Sequence, residues 1–141
     1  MKITSRFTIA VHTLVAIRTL GKEYKMTSEF LASSVNVNPV IIRRTLLSLK
    51  AVGIVDVKAG SGGATLKKDP MDITLYDIYV AMDCLDGELF HFHENPNPNC
   101  PVGRNIHAVL DTHLSDAQVA MENELKKVTL ADIINSMKTL L

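Results

Sequence analysis

TSEFLASSVNVNPVIIRRTLLSLKAVGIVDVKAGSGGATL, residues 27–66, is the stretch whose reading decides the fold. Thr27 is a good N-cap for a short helix over residues 28–34, because its hydroxyl can satisfy an otherwise orphaned backbone N–H. Residues 35–37, with Asn36 at the centre, form a turn. Asn38-Pro39 then opens a second helix, an N-cap followed by a proline at the first helical position. That helix carries Ile42, Thr45, Leu46, Leu49 and Val52 on one apolar face, and Gly53 supplies its stop. Arg43 and Arg44 fall off that face near the helix start. Two helices joined by a short turn, with basic residues early on the second, make a helix-turn-helix pattern. A ribbon over residues 54–66, tipped by Gly60, Ser61, Gly62 and Gly63, reads as its wing.

Charge gives this stretch a sign. Over 141 residues the formal net charge is zero, but the two halves differ. Residues 1–70 hold eleven lysines and arginines against four acids, and residues 71–141 hold four against eleven. A polyanion is drawn to the first half and repelled by the second. An apolar content of 47% suffices for a single domain with a real core. No apolar run approaches membrane-spanning length, and no leader pattern is present, so the expectation is a soluble cytoplasmic protein. Two cysteines, Cys84 and Cys100, do not make a disulfide framework.

Outward from the helix-turn-helix, residues 5–20 form a helix with Phe7, Ala10, Val11, Leu14, Ile17 and Leu20 along one stripe, stopped at Gly21. Lys2 and Arg6 at its start are placed to reach phosphates. His12, alone within that helix, reads as a packed or surface residue rather than a ligand. Beyond the ribbon, Thr74 caps a helix reaching about residue 83, with Leu75, Ile78, Tyr79 and Met82 on one side and Asp77 at the positive end of its dipole. Residues 84–101, with Gly87, Pro96, Pro98 and Pro101, read as a long loop, a class of segment usually functional or disordered. From about Val102 to Lys127 a helix of roughly 37 Å presents Ile106, Leu110, Leu114, Ala117, Met121, Leu125 and Val128. That length exceeds what one small domain covers, so the stripe is expected to pack on a second copy. Thr129 caps a last helix over residues 130–141, carrying Ile133, Ile134, Met137 and Leu140. The expected fold is mainly helical with a small β wing. Its parts are a winged helix-turn-helix over 1–83, a loop and sensor region over 84–101, and a dimerisation helix plus terminal helix over 102–141.

The chemistry points to double-stranded DNA. The N-terminal residues of a recognition helix enter the major groove, which selects Asn38, Val40, Ile41, Arg43 and Arg44. An arginine can bridge guanine O6 and N7, and Ile41 can touch a thymine methyl. Arg6, Thr27, Lys58, Ser61 and Gly62 complete the expected DNA-binding set through the phosphates and wing. His91, His93, Cys100 and His107 are the only candidates for a metal site, but no C-x-x-C or H-x-x-x-H spacing supports one, so no metal is expected. No glycine-rich phosphate loop opens a helix, and no nucleophile elbow or acid pair appears, so an enzyme is not expected. A winged-helix protein-interaction module, or a metal- or ligand-binding protein built on the loop, stands as the alternative.

These motifs together resemble the Rrf-two (Rrf2) family of bacterial winged-helix regulators, the group of IscR, NsrR and CymR. The resemblance rests on Ile3-Thr4-Ser5-Arg6, on the helix-turn-helix from Val37 to Gly53 leading into Ile54-Val55, and on Gly60, Gly62 and Gly63. It continues through Ile73-Thr74-Leu75-Tyr76-Asp77-Ile78 and Thr129-Leu130-Ala131-Asp132-Ile133. It implies a homodimeric repressor whose long helices pair across a two-fold axis, on palindromic half-sites about 34 Å apart. Two departures bear on function. Cluster-binding relatives carry three cysteines before the long helix, where this chain has only Cys100, so no cofactor is expected and an iron–sulfur cluster least of all. An arginine common in the family's wing is replaced by Ala59. Cys100 itself is a candidate redox sensor for thiol-reactive signals.

Overall fold

The computed structural model describes residues 5–58, 63–82 and 89–141. Lys2, Ala59, Gly60, Ser61, Gly62 and Cys84 lie outside the described residues.

Among the described residues, six helices and one two-stranded ribbon follow in the order α1 (Ser5–Leu20), α2 (Ser28–Val35), α3 (Pro39–Ala51), β1 (Val55–Lys58), β2 (Gly63–Leu66), α4 (Leu75–Ala81), α5 (Pro101–Lys126) and α6 (Leu130–Lys138), with a 3₁₀ turn at Pro70–Asp72. The expected mainly helical, winged arrangement is what the chain forms. Each start has its local cause. Thr27 Oγ1 accepts from Phe30 N–H at 3.1 Å, and Asn38 Oδ1 accepts from Val40 N–H at 2.9 Å, satisfying donors that a helix start leaves orphaned. Gly53, at φ +79°, takes the left-handed turn after α3.

The core lies where α1, α2 and α3 meet α4, α6 and the ribbon. Leu14, Leu31, Ile42, Leu49, Ile73, Ile78 and Leu130 are fully buried within it. Burying each such side chain stabilises the fold by about 1.5–3 kcal/mol. Helix α1 buries more than one stripe: Thr13, Val15 and Ala16 are inside with Ala10, Leu14 and Ile17, while Phe7, Val11 and Leu20 are only half-buried. The cause is its central place, in contact with α2, α3, α4, α6 and β2. Thr13 tolerates this because its hydroxyl donates to Ile9 C=O at 2.8 Å. Val52, read as part of the α3 face, caps that helix and is 49% exposed.

Two stretches of near-identical sequence, Thr74-Leu75-Tyr76-Asp77 and Thr129-Leu130-Ala131-Asp132, form twin capping boxes side by side. In each, the threonine hydroxyl accepts from the aspartate N–H and the aspartate carboxylate accepts from the threonine N–H. Asp77 thus caps through a direct bond as well as through the dipole. The two caps are joined by an antiparallel bridge between Thr74 and Thr129. Leu130 N–H donates to Ile73 C=O at 2.7 Å, and Leu75 N–H to Val128 C=O at 2.9 Å. This clasp brings α6 back onto α1 after the long excursion of α5. Helix α6 ends at Lys138, so Leu140 is 82% exposed instead of continuing the apolar face.

Candidate nucleic-acid interface

Helix α3 buries Ile42, Thr45, Leu46 and Leu49 and turns Val40, Ile41, Arg43, Arg44 and Leu47 outward. The tight turn that aims it depends on Asn36, which adopts the left-handed conformation at φ 64°. Asparagine tolerates that conformation better than most residues carrying a Cβ. Asn36 and Val37 N–H groups both donate to Ala32 C=O, at 2.8 and 3.1 Å, closing α2. Thr45, buried on the inner side, donates to Ile41 C=O at 2.8 Å and leaves no orphan hydroxyl.

The outward face combines two cations with apolar side chains. Val40 is 41%, Ile41 38% and Leu47 67% exposed. Residues 40, 43, 44 and 47 share one helix face at spacings of three and four. Leu47 completes this face, and sequence reading missed it because an apolar residue among Leu46 and Leu49 reads as core. Arg43 lies 3.6 Å from Glu29 of α2. Both partners are exposed, so the pair is weak, but it holds the arginine across the two helices. Asn38 spends its carbonyl oxygen on the cap, leaving its amide N–H groups to donate outward.

The wing is pinned to the entry of the helix-turn-helix. Lys58 pairs with Gly63 in register and stands exposed at the end of β1. Gly63 is at φ +71°, and a Cβ there would come within 2.9 Å of the Met26 carbonyl, so only glycine fits. Ala64 N–H donates to Met26 C=O at 2.9 Å. Thr27, at the start of α2, is half-buried, and Arg6 is exposed in the first turn of α1. The structure therefore places Asn38, Val40, Ile41, Arg43 and Arg44 on one element, with Lys58 on the wing and Arg6 on α1.

The loop before α5 lies against that helix: Leu89 N–H donates to Gln118 Oε1 at 3.0 Å. His93 and His107 come together, ring edge to ring face at 5.1 Å, and Phe92 covers His107 at 4.5 Å. His91 is exposed. Among the described residues no three of histidine, cysteine, aspartate and glutamate gather as a metal-binding group. Cys100 is half-buried at the N-cap of α5. The N–H groups of Gly103 and then Val102 hold its thiol below the ordinary range, against an opposing effect of burial.

A helix-turn-helix with a basic outward face and a pinned wing is the architecture of a DNA-binding transcriptional regulator. The sequence matches the family model Rrf2, iron-dependent transcriptional regulator, over residues 3–136, and the chain belongs to the Rrf2 family. It is 46% identical to YwnA of Bacillus subtilis, named as an HTH-type transcriptional regulator, over 96% of this chain and 98% of that one. The crystal structure of a protein named as DNA-binding superposes with a TM-score of 0.71 at 40% identity, covering 92% of this chain and 99% of the other. CymR of B. subtilis, named the global cysteine regulator, shares the fold with a TM-score of 0.71 at 18% identity, over 96% and 98% of the two chains. The chain is thus a DNA-binding transcriptional regulator and not an enzyme. No helix among the described residues is long and apolar enough to cross a membrane.

The family description names iron, so the donors present must be weighed against it. A [2Fe–2S] cluster takes four ligands. The whole sequence holds two cysteines, and Cys100 is the one thiol among the described residues. His93 and His107 meet ring edge to ring face with Phe92 over His107, and among the described residues no three histidine, cysteine, aspartate or glutamate side chains gather. This donor set does not fit such a cluster.

Proposed function

We propose that two copies pair through α5 and that the dimer acts in the cytoplasm as a repressor on a palindromic operator. The observation that supports this reading most is the state of α5. It runs for 26 residues with an apolar stripe, yet buries none of them fully within its own chain. Val102, Val109 and Val119 are 69%, 60% and 53% exposed. A second α5 would remove this surface from water at about 25 cal/mol per Å², and two-fold pairing makes the contact self-complementary. In the dimer each α3 enters one major groove, with Asn38, Val40, Ile41, Arg43 and Arg44 toward the bases. Lys58, Ser61, Gly62, Arg6 and Thr27 meet the backbone or minor groove. The half-sites then lie about 34 Å apart.

Sedimentation equilibrium, together with footprinting on the DNA flanking the chain's own gene, tests both parts. A dimer protecting two inversely repeated half-sites is the expected result. A monomer at micromolar concentration, or a single asymmetric footprint, overturns the reading.

The depressed thiol pKa at the start of α5 supports a second element, in which Cys100 reports thiol-reactive oxidants or electrophiles by perturbing the dimer helix. Cys100→Ser should abolish a change in DNA affinity caused by peroxide, hypochlorite or an electrophile. An unaltered response in that variant defeats the idea. The same reading has no iron–sulfur cluster. Iron and acid-labile sulfide at stoichiometric levels in anaerobically purified protein would defeat that part.

A further inference from the structure

Between the C-terminal end of α1 and strand β2 lies an open groove of about 330 Å³ that the helix-turn-helix reading does not use. Arg18, Lys22 and Lys25 line it, with Tyr24 and Thr65, over a floor that includes Met26. All three cations are exposed, and among the described residues none has an ion-pair partner. Glu23 is the one acid in the turn from Gly21 to Met26. Gathering three like charges on one short surface is unfavourable unless an anion covers it.

The groove is continuous with the DNA-facing elements. Its floor residue Met26 pairs through its carbonyl with Ala64 of the wing, and the next residue, Thr27, caps α2. Tyr24 stacks on Phe30 of α2 with ring centroids 5.0 Å apart, so the groove's rim is braced by the helix-turn-helix itself. Across the ribbon, Lys58 sits opposite Gly63, and Gly63 lies directly against Met26. Adjacent strands are about 4.8 Å apart. The row Lys58, Gly63, Met26 therefore sets the Lys58 backbone within about 10 Å of the groove.

We propose that this groove binds the sugar-phosphate backbone of duplex DNA flanking each operator half-site. The contact rests on the DNA-binding reading of α3 and the wing and extends its footprint outward. Lys22 and Lys25 act there as point charges on phosphates and Arg18 as a planar, bidentate donor, while Met26 lies beneath the sugars. Such contacts raise affinity for every sequence alike and leave base choice to α3. The other occupant of such a basic groove, an acidic protein segment, is an outcome of the test.

The test uses the full chain and an operator selected from a random-sequence library, with binding measured across a salt series. The triple variant Arg18→Gln, Lys22→Gln and Lys25→Gln is compared with a charge-matched control, Arg104→Gln, Lys127→Gln and Lys138→Gln, in the acidic half. Releasing each phosphate contact changes the slope of log K against log salt by about 0.9. The groove variant should lower that slope by about one to three per protomer, with base preference kept and the melting temperature near wild type. The control should not. Trimming the duplex to the half-sites should erase the difference between the groove variant and wild type. A groove variant whose slope matches wild type or the control overturns the proposal and points to an acidic protein partner, while wild-type DNA binding leaves the α3 reading standing. Absence of wild-type binding to any selected duplex overturns both.

Discussion

Helix α3 buries Ile42, Thr45, Leu46 and Leu49 within 13 residues, whereas α5 runs for 26 residues and buries none. Both are amphipathic, and both present apolar side chains to solvent. The difference is where each finds its complement. Helix α3 has α1, α2, α4 and β1 around it, so its inner face is closed and its outer face stays open. Helix α5 has chiefly α4 and the loop from Leu89 against it. Its stripe is only half-covered within the chain. One helix is therefore closed by the domain on its inner face; the other keeps much of its stripe open, the surface that the proposed dimer would cover.

The largest expected effect breaks this comparison if it is false. Ile42→Ala should cost about 2–5 kcal/mol, because a fully buried side chain leaves a cavity, and it should do so at any protein concentration. Leu110→Ala should instead weaken the concentration dependence of the melting temperature, since its main cost is to association. Equal, concentration-independent losses at both sites would mean that α5 is an ordinary intramolecular helix. Next in size, Arg43→Ala should relax discrimination at one base by about 1–3 kcal/mol, read by competition among single-base operator variants. Leu47→Ala should weaken preference at a neighbouring thymine by less.

The junction between the two regions gives a smaller effect. Thr74→Ala and Thr129→Ala should each cost about 1 kcal/mol through loss of a cap. Because the two residues form a bridge, the double variant should depart from additivity by about 0.5 kcal/mol or more. Denaturant midpoints of the three variants measure it. Smaller still, Glu29→Gln should strengthen operator binding by under about 1 kcal/mol, because it releases Arg43 from an exposed ion pair.

Cys100 sharpens the picture of α5 through pH. Its folded pKa lies below the unfolded thiol value, so the thiolate favours the folded state. The associated stability is present above the unfolded pKa and lost as pH falls through the folded one. In Cys84→Ser protein, the alkylation rate at Cys100 should rise with a midpoint below that of a free thiol. A midpoint at the free-thiol value would remove the basis for sensing there.

Much of this was legible along the chain. Thr27, Asn38, Thr74 and Thr129 announce helix starts because capping is a local event between residues two or three apart. Arg43 and Arg44 fall outside the apolar period of α3 and so could be placed on its surface. Leu47 and Val52 were harder, since periodicity counts apolar residues without showing which neighbours exist to cover them. The loop was harder still. His91 and His93 stand two residues apart, yet it is His107 that His93 meets, because the chain after Leu89 lies along α5.

By itself the sequence determined the order of the helices, their caps, the turn that aims α3, and the basic character of the half that carries it. Those properties depend on contacts within a few residues or on charge summed over a half. Tertiary structure decided the clasp of Thr74 with Thr129, the bond from Ala64 that pins the wing to Met26, and the gathering of Arg18, Lys22 and Lys25 beside β2. Each joins residues that only folding makes neighbours, and no local propensity encodes which distant backbone a strand edge will meet.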